Sequence, residues 1–147
     1  MISAETSIEI DRPVSEVFRF VADPTNEPLW HTDVVSGWLE PAGEPGPGKV
    51  MHGRFKAFGR TMDAVADIAT FEPERRIVYR FQKPAYGLKP TLTYSFEAIG
   101  ATTRFTRRVD AEPFGIGRLL APIMGGQVAS RNAGFVQNLK RRLESRL

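Results

Sequence analysis

Arg107 is the residue whose type and position most directly indicate chemistry. It lies between Phe105 and Val109 in a segment where apolar and polar residues alternate, so these three side chains should share one strand face. A guanidinium on the apolar face of a sheet is costly unless it is paired. We expect it to hold a ligand carboxylate or enolate, or to form a structural ion pair with an inward carboxylate such as Asp63. A β-bulge that returns Arg107 to solvent is the third alternative.

A second group of candidates combines aromatic rings with polar atoms that could hold a planar ligand. Trp30 and His31 follow a short predicted helix and offer an indole N–H and an imidazole, although packing of Trp30 and an exposed or capping His31 are the simpler expectations. Tyr79 and Tyr94 lie on apolar strand faces, where their hydroxyls could orient a ligand carbonyl or phenol. Asn132 falls among the apolar positions of the last helix and could contact a ligand or line a wet entrance.

Four further polar residues alternate with apolar ones in two neighbouring predicted strands. Asp63 and Asp67 lie four residues apart, and such carboxylates can do acid–base chemistry when burial raises one pKa. His52 and Arg54 share one face of the preceding strand, opposite Phe55. We expect all four polar side chains to lie on a solvated face.

Several features typical of metal, nucleotide or nucleic-acid binding are missing from the sequence. The chain has two histidines and no cysteine, and its histidines match no metal-ligand spacing, so neither a metal nor a cofactor is expected. Residues 43–49 fit the G-x-x-x-x-G-K pattern, but Val50 stands where a nucleotide site needs Ser or Thr. The net charge of +3 is too small to indicate a nucleic-acid partner.

Length and composition favour one globular domain spanning residues 1–147. The hydrophobic fraction of 41% and the charged fraction of 25% are ordinary for a chain with a core, and disulfides are excluded by the lack of cysteine. No apolar stretch approaches the roughly 20 residues of a membrane span, and the first residues do not resemble a signal peptide. We therefore expect a cytoplasmic protein.

Hydrophobic periodicity predicts an α+β fold. Residues 2–10 alternate as a strand, a helix with an apolar stripe begins after Pro13, and a short second helix follows Asp23. Apolar residues at helical spacing follow Pro113, which predicts a long final helix with a kink or break near Pro122. Between the helices we predict six strands joined by short turns, and hence an antiparallel sheet of about seven strands: residues 34–40, 49–58, 60–71, 76–82, 90–99 and 102–112.

This order resembles the helix-grip fold of the START and Bet v 1-like superfamily, in its polyketide cyclase/dehydrase branch. The resemblance implies a curved sheet wrapped around the long C-terminal helix, with two short helices after the first strand. The similarity covers essentially the whole chain and marks the fold more specifically than the chemistry. The stretches that carry it are residues 10–18 (IDRPVSEVF), 22–31 (ADPTNEPLWH), 72–80 (EPERRIVYR) and 139–144 (LKRRLE).

The resemblance implies a cavity between sheet and helix that binds an apolar or aromatic small molecule. The protein would then be a polyketide cyclase or dehydratase, or a carrier of lipids that performs no chemistry. The alternative is a co-chaperone-like protein-interaction domain with a filled core, and either form could be a monomer or a homodimer. The expected ligand-binding residues are Trp30, Phe55, Tyr79, Phe81, Tyr94, Phe96, Phe105, Arg107, Met124, Val128 and Asn132.

Overall fold

The computed structural model of the protein describes residues 1–57, 59–83, 88–113 and 117–145, which form a seven-stranded antiparallel sheet and three helical segments. The strands lie side by side in the order β1-β7-β6-β5-β4-β3-β2. The predicted sheet and long helix are therefore confirmed. The elements are β1 (Ile2–Ile10), α1 (Val14–Ala22), a 3₁₀ helix (Pro24–Leu29), β2 (Val34–Glu40), β3 (Val50–Ala57), β4 (Arg60–Glu72), β5 (Arg76–Phe81), β6 (Leu88–Ile99), β7 (Thr102–Pro113) and α2 (Gly117–Glu144).

The strand boundaries agree with the alternation of the sequence to within two residues. The sequence predicts that the strand corresponding to β3 ends at Phe58, and this residue lies outside the described residues. On β6 the side chains of Leu92, Tyr94 and Phe96 are buried, and the polar residues between them are not. Such alternation fixes the register, since a slip by one residue would turn every apolar side chain towards water.

The two short helical segments turn the chain from β1 to the opposite edge of the sheet. Pro13 precedes α1, where its missing N–H leaves no hydrogen bond unmade. Asp23 ends α1 and caps the 3₁₀ helix, because its Oδ1 accepts hydrogen bonds from the Thr25 backbone N–H at 3.0 Å and from the Thr25 hydroxyl at 2.7 Å.

The core lies between the concave face of the sheet and the helices, and it is mainly aromatic. Phe105 is fully buried and makes ring contacts with Trp30, Tyr94 and Phe96 at centroid distances of 5.3–5.9 Å. Phe18 of α1 contacts Phe96 edge-on at 5.1 Å. Burial of such large rings stabilises the fold through the apolar area that it removes from water.

The two halves of α2 differ in how they pack. The C-terminal half buries Phe135, Val136, Leu139 and Leu143 against the core. The N-terminal half is largely exposed, and Leu119 there retains 81% of its accessible surface.

Of the predicted kink or break near Pro122, the break is wrong, because α2 runs without interruption from Gly117 to Glu144, and the kink stays a prediction. Pro122 removes only the hydrogen bond to the Arg118 carbonyl. Both residues lie in the exposed first turns, where water can satisfy that oxygen. Within the described parts of the chain, no helix combines the length and apolar character that crossing a membrane requires.

Glu144 ties the end of α2 to the turn that follows β1. Its Oε2 accepts hydrogen bonds from Lys140 Nζ at 2.7 Å and from the Asp11 backbone N–H at 2.8 Å. These two bonds, the one from Lys140 foremost, lower the pKa of Glu144 below its usual 4.5.

We expect Glu144→Gln to flatten the acid dependence of stability. A carboxyl whose pKa is lowered by folding stabilises the protein above its unfolded pKa, and this contribution is lost as pH falls through the folded pKa. Urea denaturation between pH 6 and pH 3 should therefore show the wild-type free energy of unfolding falling more steeply below about pH 4.5 than that of the variant. Glu74→Gln, at an exposed carboxyl with no ion pair among the described residues, should follow the wild type. Equal slopes for Glu144→Gln and wild type would contradict the role assigned to Glu144.

Candidate functional site

A cavity of about 270 Å³ lies between the C-terminal half of α2 and the concave face of the sheet. Its volume is close to the lower end, roughly 300 Å³, of the range for small-molecule sites. Strands β2 to β7 form one wall, α2 forms the other, and Glu27 of the 3₁₀ helix also borders the space. Most of its wall is apolar: Val34, Met51, Phe55, Ala64, Phe81, Leu92, Val109, Ala111, Val128 and Phe135.

Arg107 forms the polar end of this cavity. The side chain points inward from β7, as the alternation predicts, and only 8% of the residue is exposed. Its Nε donates a hydrogen bond to His31 Nε2 at 3.3 Å, and its Nη1 donates one to Asn132 Oδ1. The guanidinium carbon also lies 5.1 Å from the centroid of the Phe135 ring, within reach of a cation–π contact.

Asn132 connects α2 to the two strands beneath it. Besides accepting from Arg107, its Nδ2 donates to the Arg107 backbone carbonyl at 2.9 Å and to the Thr6 hydroxyl at 3.1 Å. The residue is almost completely buried, so these bonds satisfy an amide that water does not reach. Asn132 therefore fixes both the backbone and the side chain of Arg107.

Glu27 and His31 form a buried pair that the sequence did not single out as a unit. They lie four residues apart, at the 3₁₀ helix and its end, and His31 Nδ1 contacts Glu27 Oε2 without hydrogen-bond geometry. Because Arg107 donates to Nε2, that nitrogen is an acceptor and the ring proton belongs on Nδ1, facing Glu27. The expectation of an exposed or capping His31 is wrong, because the ring packs between Trp30 and Phe135. The only sequence signal for the pair is its i, i+4 spacing.

Two tyrosines near this pair remain protonated phenols. Burial, and then the negative charge of Glu27, raise the pKa of Tyr94 well above its usual value, and the neighbouring Arg107 opposes this only in part. Burial and Glu27 also raise the pKa of Tyr79. The Tyr94 hydroxyl lies 3.5 Å from His31 Nε2, so the polar end of the cavity offers a neutral O–H group beside a guanidinium.

Ion pairs stand where the cavity meets solvent. Arg131 of α2 pairs with Asp33 at 2.6 Å, and Arg54 pairs with Asp63 at 3.4 Å; all four line the cavity. The structural ion pair between Arg107 and Asp63 therefore does not form, and no β-bulge returns Arg107 to solvent, since β7 pairs in regular register with both neighbours.

The structure brings together six of the eleven residues predicted to bind a ligand. Phe55, Phe81, Tyr94, Arg107, Val128 and Asn132 all border the cavity. Five others do not: Trp30, Tyr79, Phe96 and Phe105 belong to the packed core, and Met124 packs against the small cluster of Ile2 and Ala111. A binding role for any of the eleven stays a prediction.

The polar residues of β3 and β4 lie largely as expected. Arg54, Asp63 and Asp67 are exposed, whereas His52 is half-buried because its ring stacks on Trp38 at 5.3 Å and its Nε2 lies 2.7 Å from Glu40. Among residues 1–57, 59–83, 88–113 and 117–145, no cluster of three or more His, Asp or Glu side chains could hold a metal ion.

The fold and its cavity define a helix-grip protein: a curved sheet that holds a long helix over an internal space. The sequence profile of one family, described as polyketide cyclase/dehydrase and lipid transport, matches residues 1–144. The chain belongs to this family. No protein of curated function matches the sequence significantly.

Solved structures of low sequence identity share the fold. The di-domain aromatase/cyclase BexL from the BE-7585A biosynthetic pathway superposes with a TM-score of 0.80 at 20% identity over 98% of this chain, which spans 47% of BexL. A START superfamily protein from Mycobacterium smegmatis gives 0.79 at 14% identity over 99% of both chains. The ZhuI aromatase/cyclase from Streptomyces sp. R1128 gives 0.64 at 18% identity, over 95% of this chain and 94% of ZhuI.

Proposed function

We propose that this protein binds an apolar or aromatic small molecule in the cavity beneath α2, as a cyclase/dehydratase-like enzyme or as a carrier. The observation that carries the proposal is the cavity itself, with its apolar wall and a single polar end at Arg107. An apolar ligand body would fill the space, and the polar end would orient it. A space of this size also argues against the filled core that a protein-interaction domain would have.

Titration with N-phenyl-1-naphthylamine, a neutral apolar fluorophore, tests this proposal. We expect saturable binding of one probe per chain, and Ala64→Trp on the cavity wall of β4 should weaken it at least tenfold because the indole occupies the same space. Ala69→Trp, at an exposed position of the same strand, is the matched control and should bind as the wild type does. Val128→Trp repeats the test from the helix wall.

Two results would contradict the proposal. One is the lack of saturable binding to the wild type. The other is equal binding by the Ala64→Trp, Val128→Trp and Ala69→Trp variants, provided circular dichroism shows all three folded. Native mass spectrometry of freshly purified protein, followed by organic extraction, would identify the class of any ligand retained from the host.

The catalytic form of this proposal is supported by the Tyr94 hydroxyl. Burial keeps that phenol protonated, and it lies beside Arg107, so its O–H can donate a hydrogen bond to a developing oxyanion that the guanidinium also stabilises. Tyr94→Phe should then retain ligand binding and abolish conversion of any extracted ligand. Unchanged conversion by Tyr94→Phe would contradict the role given to Tyr94, and lack of conversion by the wild type would favour the carrier.

A further inference from the structure

The charge of Arg107 distinguishes the polar end of the cavity from an ordinary buried ion pair. Among the described residues, no carboxylate lies within 4.0 Å of this guanidinium. Its partners are instead neutral: an imidazole nitrogen, an amide oxygen and the face of a phenyl ring. A buried cation without a contacting anion is costly, so this arrangement is not explained by stability.

Glu27 is not a direct counterion of Arg107. It lies on the Nδ1 side of His31, whereas Arg107 lies on the Nε2 side, so the imidazole ring separates the two charges. Its contact with Nδ1 leaves Nε2 as an acceptor, which holds the Nε edge of the guanidinium. The carboxylate therefore helps to orient Arg107 without touching it.

Part of the guanidinium remains available to the cavity. Of its five N–H donors, the hydrogen bonds found within the described parts of the chain use one on Nε and one on Nη1. Nη2 has no such bond in those parts, and the Tyr94 hydroxyl lies beside the guanidinium. Because Arg107 lines the cavity, this nitrogen can meet a bound molecule.

The other charged residues of the wall do not supply a contacting anion for Arg107 either. Besides Arg107, the cavity is lined by Arg131 paired with Asp33 and by Arg54 paired with Asp63. Including Glu27 and Lys83, the wall carries three carboxylates and four cations. The two exposed pairs neutralise themselves, and Lys83 lies at the exposed rim, so inside the cavity only Glu27, on the far side of His31, shares the polar end with Arg107.

We propose that the ligand is an anion, an apolar or aromatic body with one carboxylate or enolate group, and that this group supplies the counterion which Arg107 lacks. The inference rests on the proposed function, since it needs the cavity to bind a small molecule. Two oxygens of a carboxylate match the fork of a guanidinium better than one neutral oxygen does. The Tyr94 hydroxyl, held protonated beside it, can donate to the same oxygens.

Competition between two probes of equal shape tests this inference. 2-Naphthoate and 2-naphthamide differ in one group, an anionic carboxylate or a neutral amide, and each is titrated against bound N-phenyl-1-naphthylamine. We expect the naphthoate to bind at least tenfold more tightly to the wild-type protein. The preference should persist in 0.5 M NaCl, because salt screens the exposed charges and not one held inside the cavity.

Variants then assign the preference to Arg107. Arg107→Met should bring the two probes to within about threefold of each other, and Arg107→Lys should keep a reduced preference for the naphthoate. Arg108→Gln is the matched control, because its guanidinium lies on the solvent face and pairs with Glu5 and Asp110. It should leave the ratio of affinities unchanged.

The outcomes separate the two proposals. If N-phenyl-1-naphthylamine does not bind, the proposed function fails. If it binds but both naphthyl probes displace it equally, or neither displaces it, the cavity stands and the anionic ligand is overturned. Should Arg107→Met not fold, the wild-type preference and its persistence in salt decide the question alone.

Discussion

Asn132→Ala should lower the free energy of unfolding by about 3 kcal/mol. The change removes an amide that accepts from Arg107 Nη1 and donates to the Arg107 carbonyl and the Thr6 hydroxyl. A charged donor and a backbone carbonyl would then be left without these partners in a site that is nearly sealed from water. Urea denaturation followed by circular dichroism measures the loss.

The matched control for Asn132 lies on the same helix. Asn138 is half-buried, and its Nδ2 makes one long hydrogen bond, to the Trp30 carbonyl at 3.3 Å. Its Oδ1 accepts a second bond from Arg141, a solvent-exposed residue. Asn138→Ala should cost about 1 kcal/mol. A cost at Asn132 no larger than that at Asn138 would show that Asn132 does not fasten Arg107 to α2.

Gly37→Ala should be almost as damaging, at about 3 kcal/mol, for a purely steric reason. A Cβ at this position would lie 2.4 Å from the Pro24 carbonyl oxygen and 3.2 Å from its carbon. Both are backbone atoms of Pro24, a buried residue of the 3₁₀ helix, and cannot turn aside, so β2 and that helix would have to separate. Chemical denaturation gives the change in unfolding free energy.

Gly53 provides the control for Gly37, because the two glycines face each other in the register of β2 and β3. A Cβ on Gly53 would meet its nearest atom, the Ser36 carbonyl oxygen, at an ordinary 3.7 Å. Gly53→Ala should therefore change stability by less than about 1 kcal/mol. Similar losses for both variants would mean that strand propensity, and not the contact with Pro24, explains the effect.

Alternation in the sequence was enough to predict which strand face each residue of β6 and β7 occupies. Phe96, Phe105 and Arg107 all point inward as predicted. Side-chain direction has a period of two residues and is set locally, so a single sequence carries it. Alternation does not tell where along the strand a residue meets a helix.

For this reason the sequence predicts Phe96 and Phe105 at the ligand site, whereas the structure places both in the packed core. Phe96 faces Phe18 of α1, whereas Leu92, four residues earlier and on the same strand face, borders the cavity. The difference arises from the curvature of the sheet and the placement of α1 and α2, which are properties of the assembled fold.

The buried pair of Glu27 and His31 was beyond sequence reasoning for a related reason. A carboxylate in a short segment containing two prolines is most often exposed, and the burial of Glu27 follows from how the 3₁₀ helix packs on the rest of the fold. The contact between Glu27 and His31 is therefore fixed by the assembled fold.

The pairing of β1 with β7 has a consequence for how this chain acquires its structure. Ile2 of β1 lies opposite Ala111 of β7. Arg12, just after β1, donates from Nη2 to the Glu144 carbonyl at the end of α2, at 2.9 Å. The first strand can therefore dock only after more than 100 residues have been synthesised, and closing so long a loop slows folding. Until then β1 is an unpaired edge on the nascent polypeptide, which makes the interval before β7 emerges the time when the chain is most open to aggregation.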